Sequence, residues 1–316
     1  MRVTNIAAVM QAFGLKKRLA SVSSKLQSSH SMTPSSSISK PVLKQFAGLW
    51  TLTHQPSAAK EWSLEEKFKQ AKKAGFEAIG GGAMPEVVPL CEKYGMDYVC
   101  YIDGNKNYAE RLKVVQTTKP ARVNVQLLDH DTLPKEAVKI WLKMEAHAEK
   151  MGLNVDLEVH RDTCTETPEK VYEIAALYKK ATGKNIRLCF DFSHFAVVKH
   201  IYPPFADRLL VRPDLVQLSR QVHFRPFNGH HCQVPATDGK GNETPEFKDY
   251  LAFVDAFIAC WLKGAKGGEV LYACPEFGPF GSGYGISTFP NVWKDAILLC
   301  SKTEALWKAN LRKWKK

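Results

Sequence analysis

The sequence predicts a single (β/α)8 barrel over residues 41–316, preceded by a disordered segment at residues 1–40. Three observations carry this. Eight strand–helix units follow one another in about 255 residues, roughly 30 each, the length an eight-fold parallel barrel uses. Helix-start and helix-stop signals recur between the apolar runs. Ionisable residues gather at the strand ends of the second half, where the loops of such a barrel converge. A doubly wound open sheet competes, because alternation alone does not reveal closure.

The units run in order from Gln45. "FAGLWTLT" reads as a strand, then "SLEEKFKQAKKAG" as a helix with Ser63 as N-cap, Glu66 three residues on and Gly75 as its stop. "FEAIGG" is a short strand, and Pro85 opens the helix of "PEVVPLCEKYG". "MDYVCYID" and "YAERLKVVQTT" form the third unit. "RVNVQLL" and the long helix to Gly152 form the fourth. "NVDLEV" leads to a helix capped by Thr167 and Pro168. "IRLCFDF" precedes a less regular helical stretch at 203–218. "QVHFRPF" and "TPEFKDYLAFVDAFIACWLKG" follow, and "EVLYACPEF" leads into the last helix, ending near residue 311.

Composition narrows the function. Hydrophobic residues make up 45% of the chain, enough for a large core, and no apolar run reaches 18 residues, so no membrane span is expected. The eight cysteines are scattered without a C-x-x-C pair, which argues against a disulfide framework or zinc ribbon. The net charge is +12, but it lies at the ends: residues 1–60 hold eight Lys or Arg and no Asp or Glu, and the last nine residues hold five more. Residues 61–307 therefore carry a net −1, and no basic groove for nucleic acid is indicated. Residues 1–40 are basic, acid-free and Ser-rich, the composition of an organellar transit peptide, with the mitochondrion expected ahead of the plastid. A low-complexity tail on a cytoplasmic protein is the alternative. No G-x-G-x-x-G follows a strand and no P-loop lysine motif occurs, so nucleotide cofactors lack support.

Four strand ends carry the chemistry. "LEVHRDT" places Glu158 and His160 two apart, on one face of a strand. "RLCFDFSH" sets Asp191 and His194 where an apolar core would otherwise continue, and an unpaired buried charge is expensive. "VHFR" sets His223 and Arg225 two apart, and "CPEFGP" presents Glu276. Glu158, Asp191 and His223 recur at intervals of 33 and 32 residues, one unit each. Glu158, Asp191, His223 and Glu276 form an O/O/O/N donor set suited to one divalent ion, Mn²⁺, Mg²⁺, Co²⁺ or Zn²⁺. His160, His194 and Arg225 are the candidate substrate contacts. A structural role for His160, and an Arg225 pair with Asp162 or Glu158, compete with that reading. "GHHC" at 229–232 and "LLDHD" at 127–131 read better as loop residues than as ligands.

At these residues the chain resembles the xylose isomerase-like TIM-barrel superfamily of sugar and sugar-phosphate isomerases and epimerases, from about residue 44 to 300. The resemblance rests on "LEVHRDT", "DFSH", "VHFR…QVP" and "PEFGP…Y". From its ketose 3-epimerase branch it implies metal ligation by Glu158, Asp191, His223 and Glu276, and substrate contact by His194 and, at closer spacing, Arg225. One position departs: where those epimerases place a substrate-contacting Glu, this chain has Cys164, with Glu166 out of register. The resemblance implies a metal-dependent isomerase or epimerase acting on a small carbohydrate. In that chemistry Glu158 and Glu276 move a proton next to a carbonyl. A dehydratase sharing this first step, an apurinic-endonuclease-like phosphodiesterase and a non-catalytic sugar-binding barrel are the alternatives. The sequence leaves the oligomeric state open, a homo-oligomer included.

Overall fold

In the computed structural model, which describes residues 39–315, eight parallel strands close into one barrel. They are β1 (Val42–Gly48), β2 (Ala78–Gly81), β3 (Asp97–Gly104), β4 (Arg122–Leu127), β5 (Val155–Val159), β6 (Leu188–Asp191), β7 (Gln221–Phe224) and β8 (Val270–Pro275). Each strand pairs with the next, and Val42↔Val270 closes β1 onto β8. This decides between the closed barrel and the open sheet. The expected targeting segment lies, but for residues 39 and 40, outside the described residues. No helix among the described residues is long and apolar enough to cross a membrane.

The outer layer holds α1 (Leu64–Lys73), α2 (Val87–Tyr94), α3 (Tyr108–Thr117), α4 (Pro134–Lys150), α5 (Pro168–Thr182), α6 (Phe192–Val198), α7 (Ala206–Leu209), α8 (Pro213–Val216), α9 (Pro245–Gly264) and α10 (Val292–Leu311). Ser63 caps α1 by accepting from the amide of Glu66, and Thr167 caps α5 by accepting from that of Lys170. In α9, Phe247, Tyr250, Val254, Phe257, Ile258 and Trp261 recur three or four apart and are buried, the stripe that seats a helix on a barrel.

Several boundaries differ from the sequence expectation. β1 starts at Val42 and stops at Gly48, so the β-rich "LWTLT" is a turn. Its register is set by the ladders to β2 and β8, which propensity cannot read. β6 ends at Asp191, where the unexpected helix α6 begins, and the stretch expected as one irregular helix at 203–218 is two short ones, α7 and α8. β7 and β8 end just before Arg225 and Glu276, leaving both on the rim.

Period-two alternation sends one set of strand residues inward. Phe46, Ala78, Val99, Tyr272 and Cys274 pack together as the barrel's own core. At the N-terminal end Arg122 Nε donates to Asp156 Oδ2 at 2.8 Å, Gln221 Nε2 donates to the same oxygen at 2.6 Å, and Tyr272 Oη donates to Asp97 Oδ2 at 2.7 Å. Charge pairing at this end of a barrel serves stability rather than catalysis. Asp156→Ala would leave Arg122 and Gln221 without their acceptor. Urea denaturation should show a loss of about 3–5 kcal/mol, the scale of breaking a buried ion pair from one side.

Candidate metal centre

The C-terminal rim collects the ionisable residues. Glu158 projects inward from β5; its Oε2 accepts from Asn124 Nδ2 of β4 at 2.6 Å, and its Oε1 lies 3.0 Å from His223 Nδ1. Asp191 ends β6 and serves two purposes. Its Oδ1 accepts from the amide of Ser193 at 3.0 Å as the N-cap of α6, a position that favours Asp. Its Oδ2 faces the other ionisable groups, 3.3 Å from His194 Nε2 and 3.2 Å from Arg225 Nη2. The helix begun by Asp191 turns once and brings His194 back over it. "DFSH" is thus a strand end and a helix start sharing one carboxylate.

His223, opposite Asp191 in the ladder, sits at the centre. Its Nδ1 is 3.0 Å from both Glu158 Oε1 and Glu276 Oε2. The amide of Glu276 donates to the Phe224 carbonyl at 2.9 Å, extending the β7–β8 ladder by one residue and aiming the carboxylate inward. One donor atom each from Asp191, His223 and Glu276 lie within 4.8 Å of one another. Glu158 stands outside that trio. Its neighbour on β6 is Cys189 rather than Asp191, so it meets His223, one strand further round.

Arg225 is 2% exposed and donates from Nη2 to Glu276 Oε2 at 2.8 Å. The structure therefore gives it two carboxylate neighbours, Glu276 and Asp191, instead of Asp162 or Glu158. Burial alone would push these acids up. For Asp191, Arg225 and His194 outweigh burial and hold the carboxyl below the usual range; for Glu276, Arg225 and His223 hold it near about 2. Glu158, burial notwithstanding, is held low by His223. His194 is pushed down by burial more than Asp191 raises it, so its imidazole is neutral. His223 goes the other way: burial opposes protonation, but Cys189, Glu276 and Glu158 raise it well above the usual histidine range. The Cys189 thiol is itself pushed up to about 12 by burial and carries no charge, so the two carboxylates dominate.

The charge count tests the site for a metal. Three ionised carboxylates face one permanent cation, Arg225, in surroundings where Asp191 and Glu158 are 0% and 1% exposed. A protonated His223 would leave one negative charge uncompensated. A divalent cation with neutral His223 brings the sum to zero, and Asp191 Oδ2 and His223 Nδ1 have no well-aligned hydrogen bond to give up. The residues fit a divalent ion.

Other expected residues lie as follows. His160 is half-buried beside the cluster, its ring 4.3 Å from that of His194. His230 and His231 of "GHHC" bond to Tyr202 and Asn228 in a surface loop. Asp129 takes the hydroxyl of Thr132 in a turn, and His130 pairs with Asp162 at 2.6 Å. Cys164 is fully buried and Glu166 pairs with Lys170 at 3.1 Å, so neither reaches the cluster. Sequence reasoning missed Asn124, and also Trp50 and Tyr284, whose rings lie against the Arg225 guanidinium with its Cζ 5.4 Å and 4.0 Å from their centroids. Asn124 shares the inward parity of β4 with Arg122, a usable signal. Trp50 and Tyr284 stand on loops with no periodicity to read.

No protein-family model matches the chain, and no curated protein matches it by sequence. Solved structures do match. D-allulose 3-epimerase from Methylomonas sp. superposes with a TM-score of 0.53 at 14% identity, over 86% of this chain and 98% of that one. The probable 3-DHS dehydratase of petrobactin synthesis from Bacillus anthracis gives 0.54 at 14% identity, over 83% and 98%. A xylose isomerase-like TIM barrel protein from Mycobacterium smegmatis, in complex with magnesium, gives 0.50 at 13% identity, over 85% and 98%. The fold these proteins share with the chain is the closed (β/α)8 barrel. Likeness at such identity speaks for the fold, and the chemistry has to be argued from the rim residues.

Proposed function

We propose that this protein is a metal-dependent isomerase or epimerase acting on a small sugar, sugar phosphate or related polyol by moving a proton next to a carbonyl. The observation that carries the reading is the buried O/O/O/N cluster at the ends of β5 to β8, which with neutral His223 holds two uncompensated negative charges. Glu158, Asp191, His223 and Glu276 would hold the ion, as the magnesium complex of a similarly folded protein makes reasonable. When bound, a divalent cation supplies electrostatic stabilisation of negative charge on substrate oxygens.

The chain's own residues do the rest. Glu158 and Glu276 approach His223 from two sides, an arrangement that lets one carboxylate remove a proton and the other return it. Arg225 and His223 hold Glu276 ionised and His223 holds Glu158 ionised, so either carboxylate is available to accept a proton. Neutral His194 offers a hydrogen bond to a substrate oxygen. Burial excludes water that would quench a carbanionic species.

Metal analysis of the purified chain, then incubation with ketoses, sugar phosphates and inositol derivatives in deuterated water, tests the reading. Deuterium should enter carbon next to the carbonyl. A metal-loaded protein that exchanges no proton in any of these substrates would refute it. A second reading, dehydration of a keto acid or keto sugar, is favoured by the dehydratase likeness and starts with the same proton removal. Loss of water from the product separates the two.

Proton and metal compete for His223 Nδ1. Because the metal-free imidazole stays protonated well above the usual range, metal affinity should rise with pH, by up to about tenfold per unit below that pKa. Mn²⁺ titrations from pH 6 to 9 read this directly; a flat profile would remove His223 from the ligand set. Residues 1–40, on their composition, should carry a fluorescent reporter to mitochondria. A reporter left in the cytosol would reduce the segment to a tail.

A further inference from the structure

The donor cluster is sealed in this conformation. Asp191 is 0% exposed, His223 4% and Glu276 8%. The group over it is the Tyr284 ring, against which two guanidiniums stack: Arg225 Cζ lies 4.0 Å from the ring centroid and Arg161 Cζ 4.1 Å. Trp50 meets the ring edge-on at 5.3 Å, and the Tyr284 hydroxyl lies 3.4 Å from His160 Nε2.

The two guanidiniums are not equivalent. Arg225 is committed to Glu276 and Asp191. Arg161 is exposed and makes no ion pair among the described residues; the acid next to it, Asp162, is taken by His130 at 2.6 Å. A guanidinium whose partner is an aromatic face can be taken over by an anion, because a bidentate pair with phosphate or carboxylate is the stronger contact. The ring also has room to leave. A cavity of about 500 Å³ borders Tyr284, walled by Val197, His230, Cys232, Val234, Ile286 and Phe289. Gly281 and Gly283 beside it have φ of +85° and +83°, a region glycine adopts without steric cost.

We propose that Arg161 and Tyr284 form an anion-operated gate: a phosphate or carboxylate on the substrate pairs with Arg161, the ring withdraws into the cavity, and the cluster becomes reachable. This rests on the reading of the cluster as the catalytic centre, and narrows its substrates to anionic ones. Neutral sugars lack the group that competes for Arg161 and meet a closed barrel.

Calorimetric titration of the full chain with inorganic phosphate and with malonate, at constant ionic strength against chloride, tests the gate. At least one should bind. Arg161→Met, a change at an exposed position, should weaken that binding by about tenfold or more, the scale of one lost charge-assisted pair. Tyr284→Ala should tighten it, since no ring has to be displaced. Preference for phosphate identifies a phosphorylated substrate, and preference for malonate a carboxylate. The gate is overturned if the wild type binds neither anion above chloride. It is equally overturned if Arg161→Met binds as the wild type does, or if Tyr284→Ala binds more weakly. Mn²⁺ titration of the same samples separates the two levels: a chain that binds phosphate through Arg161 but takes up no divalent ion would sink the catalytic reading and leave the anion site standing.

Discussion

Asp191→Asn and Glu276→Gln are expected to cost the protein its metal and its turnover while the barrel stays folded. Each change keeps shape and removes one charged donor from a trio whose atoms lie within 4.8 Å of one another. Changing a residue that merely orients a ligand costs about 10–100-fold in metal affinity, so loss of a ligand itself should exceed about 100-fold. The fold survives because Arg225 keeps one carboxylate in either variant, and Asn at 191 retains an oxygen to cap α6. Equilibrium dialysis against Mn²⁺, with circular dichroism on the same samples, reads both halves. Wild-type metal affinity in either variant would strike that residue from the site.

Arg225→Met should produce the second large effect, and in an unusual pattern. The guanidinium is the permanent cation beside Asp191 and Glu276, and removing it leaves two buried carboxylates facing each other. Such one-sided removal costs about 3–5 kcal/mol. The metal-free variant should therefore unfold at a markedly lower urea concentration than the metal-free wild type. A divalent ion supplies the missing positive charge, so adding Mn²⁺ should stabilise the variant more than the wild type, by the linkage between binding and folding. Equal stabilisation of both would mean that Arg225 and the ion do not share these carboxylates. A variant as stable as the wild type without metal would mean that the buried pair carries no weight.

The fold was legible from local pattern because its signals are local. Apolar runs of strand length, the Ser63 and Thr167 caps and the stops at Gly75 and Gly152 each depend on a few neighbouring residues, and the structure has them in place. Closure was not legible. It depends on the β1–β8 ladder between residues more than 220 positions apart, such as Val42 and Val270, which alternation does not encode. The misread first strand has the same origin: "LWTLT" has strand propensity, but no neighbouring edge lies in register to receive it.

The candidate site divides along the same line. That Glu158, Asp191, His223 and Glu276 belong together follows from spacing, since residues one unit apart at strand ends must face a common mouth once the sheet is parallel. The convergence of Asp191, His223 and Glu276, with Glu158 reaching in through His223, agrees with that logic. What Arg225 does there does not follow from spacing. Its side chain is long enough to reach substrate, Asp162 or the cluster, and only the arrangement of β6 to β8 selects Glu276 and Asp191. The roof is less legible still, because Trp50, Arg161 and Tyr284 come from three loops whose approach depends on tertiary packing. Donor identity and period reside in each strand and can be read one unit at a time. Pairing between long side chains, and contact between loops, exist only once the barrel has closed.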